Sequence, residues 1–113
     1  MVEQALLLYT TFPDEKTALA IGEALVRDGL AACLNVLPGM SSVYRWEGGI
    51  ERGREVVGII KTREGRRDAV TAALKDLHPY DTPVILYLTP EADPATLAWL
   101  AAATNGEDGA ISA

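Results

Sequence analysis

The spacing of apolar positions changes several times along the chain, and each change marks an element. Ala5-Leu6-Leu7-Leu8-Tyr9-Thr10-Thr11-Phe12 is a nearly continuous apolar run closed by Pro13, the pattern of a strand buried on both faces in the middle of a sheet. Asp14 and Glu15 then give the acidic first turn that a helix favours. Ala18, Ile21 and Leu25 follow at helical spacing with Val26 beside them, and Gly29 is a natural stop. From Leu30 to Trp46 the pattern returns to strand, interrupted by Pro38-Gly39, where a missing donor and a permissive glycine predict a bend or bulge. Glu47-Gly48-Gly49 predicts a hairpin turn, and Ile50 to Thr62 comes back with Val56-Val57-Gly58-Ile59-Ile60 as its apolar heart. Arms of about a dozen residues exceed the usual five or six of a strand. Such a hairpin reaches past its own core and exposes edges that need a partner.

Val70, Ala73, Leu74 and Leu77 predict a second amphipathic helix from Gly65 to Leu77, and Val84 to Leu88 is the last clear strand. Pro94 to Ala103 reads as a short terminal helix carrying Leu97, Trp99 and Leu100, with Asp93 as cap and Pro94 in its first turn. Residues 105–113 are Gly-rich and polar, and are expected to fray. The order strand, helix, strand, strand, helix, strand is the ferredoxin-like split arrangement, an α+β fold. Right-handed crossovers put both helices on one face of a four-stranded antiparallel sheet. The whole chain, 1–113, reads as one such domain. One pair of helices covers one sheet face, so the other is expected to be buried by further subunits in a closed homo-oligomer.

Charge narrows the partners. At 113 residues with a net charge of −6, the chain is not expected to bind nucleic acid or an anionic membrane, since both depend largely on clustered Lys and Arg. Its basic residues are nonetheless uneven: Arg45, Arg52, Arg54, Lys61, Arg63, Arg66 and Arg67 crowd the middle third, interleaved with Glu47, Glu51, Glu55 and Glu64. Mixed signs on neighbouring positions read first as cross-strand pairing and a solvated face, and second as an anion site. A single cysteine, Cys33, excludes an intrachain disulfide, and one Cys with one His cannot supply the four ligands of a structural zinc site. The run from Ala5 to Tyr9 is too short to span a membrane, and Met1-Val2-Glu3-Gln4 lacks a basic leader. The expectation is a soluble cytoplasmic protein.

Candidate chemistry is concentrated in Leu77-His78-Pro79-Tyr80-Asp81-Thr82-Pro83, which holds the only histidine. Pro79 pushes His78 out of the helical region and Pro83 biases Thr82 toward extended backbone. His78 therefore stands at a helix-to-strand elbow, near the negative end of a helix dipole and a few residues from a carboxylate. It serves either as a cap bonding the last helical carbonyls or as a ligand group. Asp81 is a turn acid or a ligand beside it. Cys33, in an apolar strand, reads first as core and second as a metal ligand. Lys61 ends an apolar strand and is expected to face a cleft between subunits. Arg63, Arg66 and Arg67 read first as a solvated face. Tyr44 and Trp46, on an overlong hairpin arm, suit an intersubunit anchor, and Trp99 reads as a core or interface filler. The chain carries no Gly-rich phosphate loop, nucleophile elbow or zinc-hydrolase motif, so no enzymatic activity is expected.

Leu30-Ala31-Ala32-Cys33-Leu34-Asn35, then Pro38-Gly39-Met40-Ser41-Ser42-Val43-Tyr44-Arg45-Trp46-Glu47-Gly48, then Ile60-Lys61-Thr62, then His78-Pro79-Tyr80-Asp81-Thr82-Pro83 resembles the divalent-cation tolerance protein family, CutA, in order and spacing from Leu6 to Leu100. The resemblance implies a ferredoxin-like subunit in a compact homotrimer, similar in architecture to the PII nitrogen-signalling proteins, and an association with tolerance to copper and other divalent metals. Two departures matter. The acid after His-Pro-Tyr is often Glu in the family and is Asp81 here. Some members place a Cys in the first strand or a second His before the motif, where this chain has Thr10 and Leu77, so a copper site built on those soft ligands cannot be assembled.

The leading expectation is a trimer that binds a divalent cation or small ligand weakly in clefts between subunits, with Lys61, His78, Tyr80 and Asp81 lining the cleft. His78 and Asp81, with Cys33 behind them, are the ligands for any copper or zinc. No cofactor is firmly implied. The alternative is a PII-like regulatory trimer that binds a small anionic metabolite and signals through the hairpin tip at Glu47-Gly48-Gly49.

Overall fold

The structure, a computed structural model, describes residues 3–104, so the expectations for Met1, Val2 and the tail 105–113 lie outside the described residues. Strand β1 (Ala5–Phe12) is central, antiparallel to β3 (Gly49–Arg63) on one side and to β4 (Leu86–Leu88) on the other, with β2 (Cys33–Trp46) outside β3. The order β2-β3-β1-β4 is that of the ferredoxin-like fold. Leu6, Leu8 and Phe12 of β1 meet Val56 and Ile60 of β3 and the inner faces of α1 (Glu15–Arg27) and α2 (Arg67–Leu77), which supply Ala18, Ile21, Leu25, Val70 and Leu74. Both helices therefore cover one sheet face, as expected.

Local chemistry fixes the element ends. Asp14 caps α1 by accepting from the Thr17 amide at 2.8 Å. At its other end Gly29, with φ +71°, allows the amides of Gly29 and Leu30 to turn back onto the carbonyls of Val26 and Leu25. The bond from Leu30, and a further one from Ala31 to Leu25, use amides that the sequence assigned to β2, so the strand starts at Cys33 rather than Leu30. The β2/β3 register runs from Cys33↔Lys61 to Trp46↔Gly49 and slips between Leu37 and Met40, at Pro38-Gly39, where the bulge was expected. The hairpin closes through Glu47 and Gly48, both with positive φ (47° and 83°), the two-residue turn whose twist matches its strands.

Two further elements depart from the sequence reading. A single 3-10 turn, Glu64–Arg66, precedes α2, which begins at Arg67 rather than Gly65. Strand β4 is three residues long, not five, and pairs only with Leu7 to Tyr9 of β1. Beyond Tyr9, the Thr11 carbonyl of β1 is bonded to the His78 ring. Tyr87 of β4 is held to α2 by its hydroxyl, 2.7 Å from Thr71 Oγ1, and by the Arg67 guanidinium 4.3 Å over its ring.

Helix α3 (Pro94–Ala103) has the expected bounds and its Asp93 cap. Its C-terminal end is clasped by arginines that the sequence left to solvent. Arg63 donates to Thr104 Oγ1 at 2.7 Å and Arg66 to the Thr104 carbonyl at 2.7 Å. Arg63 also pairs with Glu3 and Arg67 with Glu64. Cations at a helix C-terminus complement its exposed carbonyls. Trp99 is not a core residue: α3 buries Leu100 and leaves Trp99 exposed.

Candidate functional site

The His78 ring is fixed from three sides. Pro79 forces His78 into extended backbone (φ −72°, ψ 137°), which ends α2 and turns the side chain back toward β1. The ring stacks on Phe12, with centroids 4.9 Å apart and planes 11° from parallel, and is 7% exposed. Phe12 occupies that place because Gly58 has no side chain: a Cβ there would lie 2.4 Å from the Phe12 ring. Nε2 lies 2.7 Å from the Thr11 carbonyl, and Nδ1 lies 3.1 Å from the Tyr80 amide. An amide can only donate and a carbonyl can only accept, so Nδ1 is bare and Nε2 carries the proton, the neutral tautomer. The side chain therefore ties the loop to β1 instead of capping α2, and neither nitrogen is poised as a ligand or a base.

Tyr80 extends the network. Its ring tilts against His78 at 4.8 Å and its hydroxyl donates to Glu55 Oε2 at 2.9 Å. Burial, reinforced by the bond to Glu55 and the charge of that carboxylate, holds the phenol far above the ordinary tyrosine range. Glu55 receives a second hydroxyl, from Ser42 of β2 at 2.9 Å, through its other oxygen. Two hydroxyls from two segments thus converge on one carboxylate of β3. The sequence reading missed Glu55 as a site residue, placing it among the mixed charges as a cross-strand partner of arginine. Only the register opposite Met40 and the fold of the His-Pro loop, 25 residues later, bring it to Tyr80.

The remaining expected site residues do not join this cluster within one chain. Asp81 is exposed, one residue beyond Tyr80. Cys33 and Lys61 face each other across β2 and β3, and Lys61 lies opposite Leu7, four residues along β1 from Thr11. At the strand rise that is about 13 Å from the His78 contact. Cys33 is half-buried rather than core, on the sheet face that the helices leave uncovered. Tyr44 and Trp46 are exposed on the outer half of the hairpin. Among the described residues no group of three or more His, Cys, Asp or Glu side chains is placed to hold a metal. With both His78 nitrogens bonded, the donors described within a single chain do not fit a copper or zinc ion.

Residues 6–103 match the family described as CutA1 divalent ion tolerance protein. A Citrobacter koseri protein named divalent-cation tolerance protein CutA is 39% identical over 100 residues, which cover 88% of this chain and 87% of that one. Among solved structures, CutA1 from Ehrlichia chaffeensis superposes with a TM-score of 0.88 at 33% identity, over 92% of this chain and 98% of that one. The periplasmic divalent cation tolerance protein CutA from Archaeoglobus fulgidus superposes with a TM-score of 0.84 at 33% identity, over 88% and 98%.

Proposed function

The chain belongs to the CutA1 divalent ion tolerance family, and from that premise we propose that it works as a homotrimer taking up a divalent cation or small ligand weakly between subunits. One observation carries the reading. The hairpin continues well past the body, and Val43, Tyr44, Trp46 and Ile50 on its outer half are all exposed. Apolar and aromatic side chains in that number on a projecting ribbon suit burial against another copy. The short edge strand β4, with Leu86 and Leu88 exposed, and Trp99 on α3 offer matching apolar surface.

In this reading the cleft brings the loop of His78, Tyr80 and Asp81 from one subunit toward residues of the next, with Lys61 and Cys33 on the uncovered sheet face. A metal reaching His78 must displace either the Tyr80 amide or the Thr11 carbonyl, which makes binding weak. The protein then works in the cytoplasm, where Cys33 stays a free thiol; cell fractionation checks this. A second reading, a regulatory trimer for a small anionic metabolite, is favoured by Lys61, a half-buried cation without an ion pair among the described residues.

Light scattering at micromolar concentration and calorimetric titration of metal-free protein with Cu²⁺, Zn²⁺ and ATP test both. The expected result is a three-subunit mass with weak metal heat that disappears in His78→Ala. A monomer mass refutes the assembly. Metal binding of unchanged strength in His78→Ala removes that residue from the site, and heat with ATP alone selects the regulatory reading.

A further inference from the structure

Glu55 is the first β3 residue paired beyond the bulge, opposite Met40, where the hairpin leaves the body. It is the point at which three segments meet: β3 itself, β2 through Ser42, and the His-Pro loop through Tyr80. Tyr80 is in turn bonded through its amide to His78, and His78 to the Thr11 carbonyl at the end of β1. The series Ser42, Glu55, Tyr80, His78, Thr11 is therefore continuous from the hairpin root to the end of the central strand.

We propose that Glu55 is a positioning residue that latches the His-Pro loop to the root of the projecting hairpin, so that the two segments order and loosen together. The physical basis is the carboxylate's lack of any donor. Ionised, it accepts both hydroxyls without competition, and hydrogen bonds to a charged acceptor are stronger than those between neutral groups. The link is specific to geometry, since Tyr80 reaches Glu55 only when Pro79 has turned the chain and the His78 ring backs the phenol. A group that engages the ring at Nδ1 frees the Tyr80 amide, weakens the hold on Glu55 and is felt at Ser42. By linkage, a partner that orders the hairpin root also orders the loop.

The proposal rests on the reading above only for the use of the loop as a ligand wall; the latch itself needs no ligand. Its test is amide hydrogen exchange on the full-length, metal-free protein, with the assembly mass checked for each variant. In Glu55→Ala, exchange at the Tyr80 amide and at Ser42 is expected to rise together by about tenfold or more, the size of a lost bond to a charged acceptor. Glu55→Gln, which keeps one acceptor oxygen, recovers part of that protection. Tyr80→Phe removes a single oxygen and is expected to raise exchange at the hairpin root, so a Glu55→Ala variant that fails to fold leaves the test intact. The double variant Glu55→Ala/Tyr80→Phe is expected to exchange no faster than Glu55→Ala alone. Unchanged exchange at Ser42 in Tyr80→Phe, or additive effects in the double variant, overturns the latch. A monomer mass or an absent metal heat overturns only the functional reading.

Discussion

The inner and outer halves of the β2/β3 hairpin share one ladder but have opposite surroundings. In the inner half, Val56, Gly58 and Ile60 are packed against β1 and the helices. In the outer half, Trp46 is 59% exposed and Ile50 70%. Backbone pairing alone is indifferent to this contrast. The inner half is anchored by side-chain burial from its own chain, whereas the outer half carries side chains suited to burial that no described residue buries. A strand ladder thus reports where hydrogen bonds are satisfied and says little about where free energy is gained.

Substitutions can break that contrast, beginning with the body. Gly58→Val places side-chain atoms where the Phe12 ring lies, and overpacking of this kind costs about 3 kcal/mol. Urea denaturation should show the loss, with His78 more exposed to solvent as Phe12 shifts. An unchanged midpoint means that the inner half is looser than its packing indicates. Trp46→Ala, by contrast, should leave the subunit fold alone and weaken association by about 2 kcal/mol, the size of a central aromatic anchor. Dilution followed by light scattering reads this directly. A fall in denaturation midpoint without a change in mass would instead assign Trp46 to the stability of its own subunit.

Smaller effects sharpen the same contrast. Thr10 is fully buried in the inner region and its hydroxyl finds no hydrogen-bond partner among the described residues. Thr10→Val keeps the shape and removes the unpaired polar atom, for a gain of about 1 kcal/mol in unfolding free energy, read as a higher denaturation midpoint; no gain would show that the hydroxyl is satisfied in solution.

The smallest effect is alkaline and belongs to the boundary between the halves. The Tyr80 phenol keeps its proton to a higher pH when folded than when unfolded. Its contribution is complete below the ordinary tyrosine value near 10, and is lost as pH rises from there through the higher folded value. Tyr80→Phe should flatten that decline in thermal melts above pH 10. A decline of the same steepness in both proteins would detach Tyr80 from it.

Much of this arrangement is written in local chemistry. Helix α3 keeps its expected bounds because Asp93 and Pro94 act on their own neighbours, and the bulge falls at Pro38-Gly39 because a missing donor and a permissive backbone operate wherever they stand. The elbow at His78 follows from Pro79 for the same reason. The sequence by itself therefore determined the elements, their order and the family resemblance, all of which rest on contacts within a few residues or on period. The tertiary structure alone decided that the His78 ring turns to Thr11 rather than to the carbonyls of α2, that β4 pairs over three residues only, and that Glu55 holds Tyr80 rather than pairing with an arginine. Those outcomes depend on the register of β1, β2 and β3 and on the space left at Gly58, quantities that exist only once distant segments have met. Local propensity carries no information about which of several chemically suitable partners will lie within 3 Å.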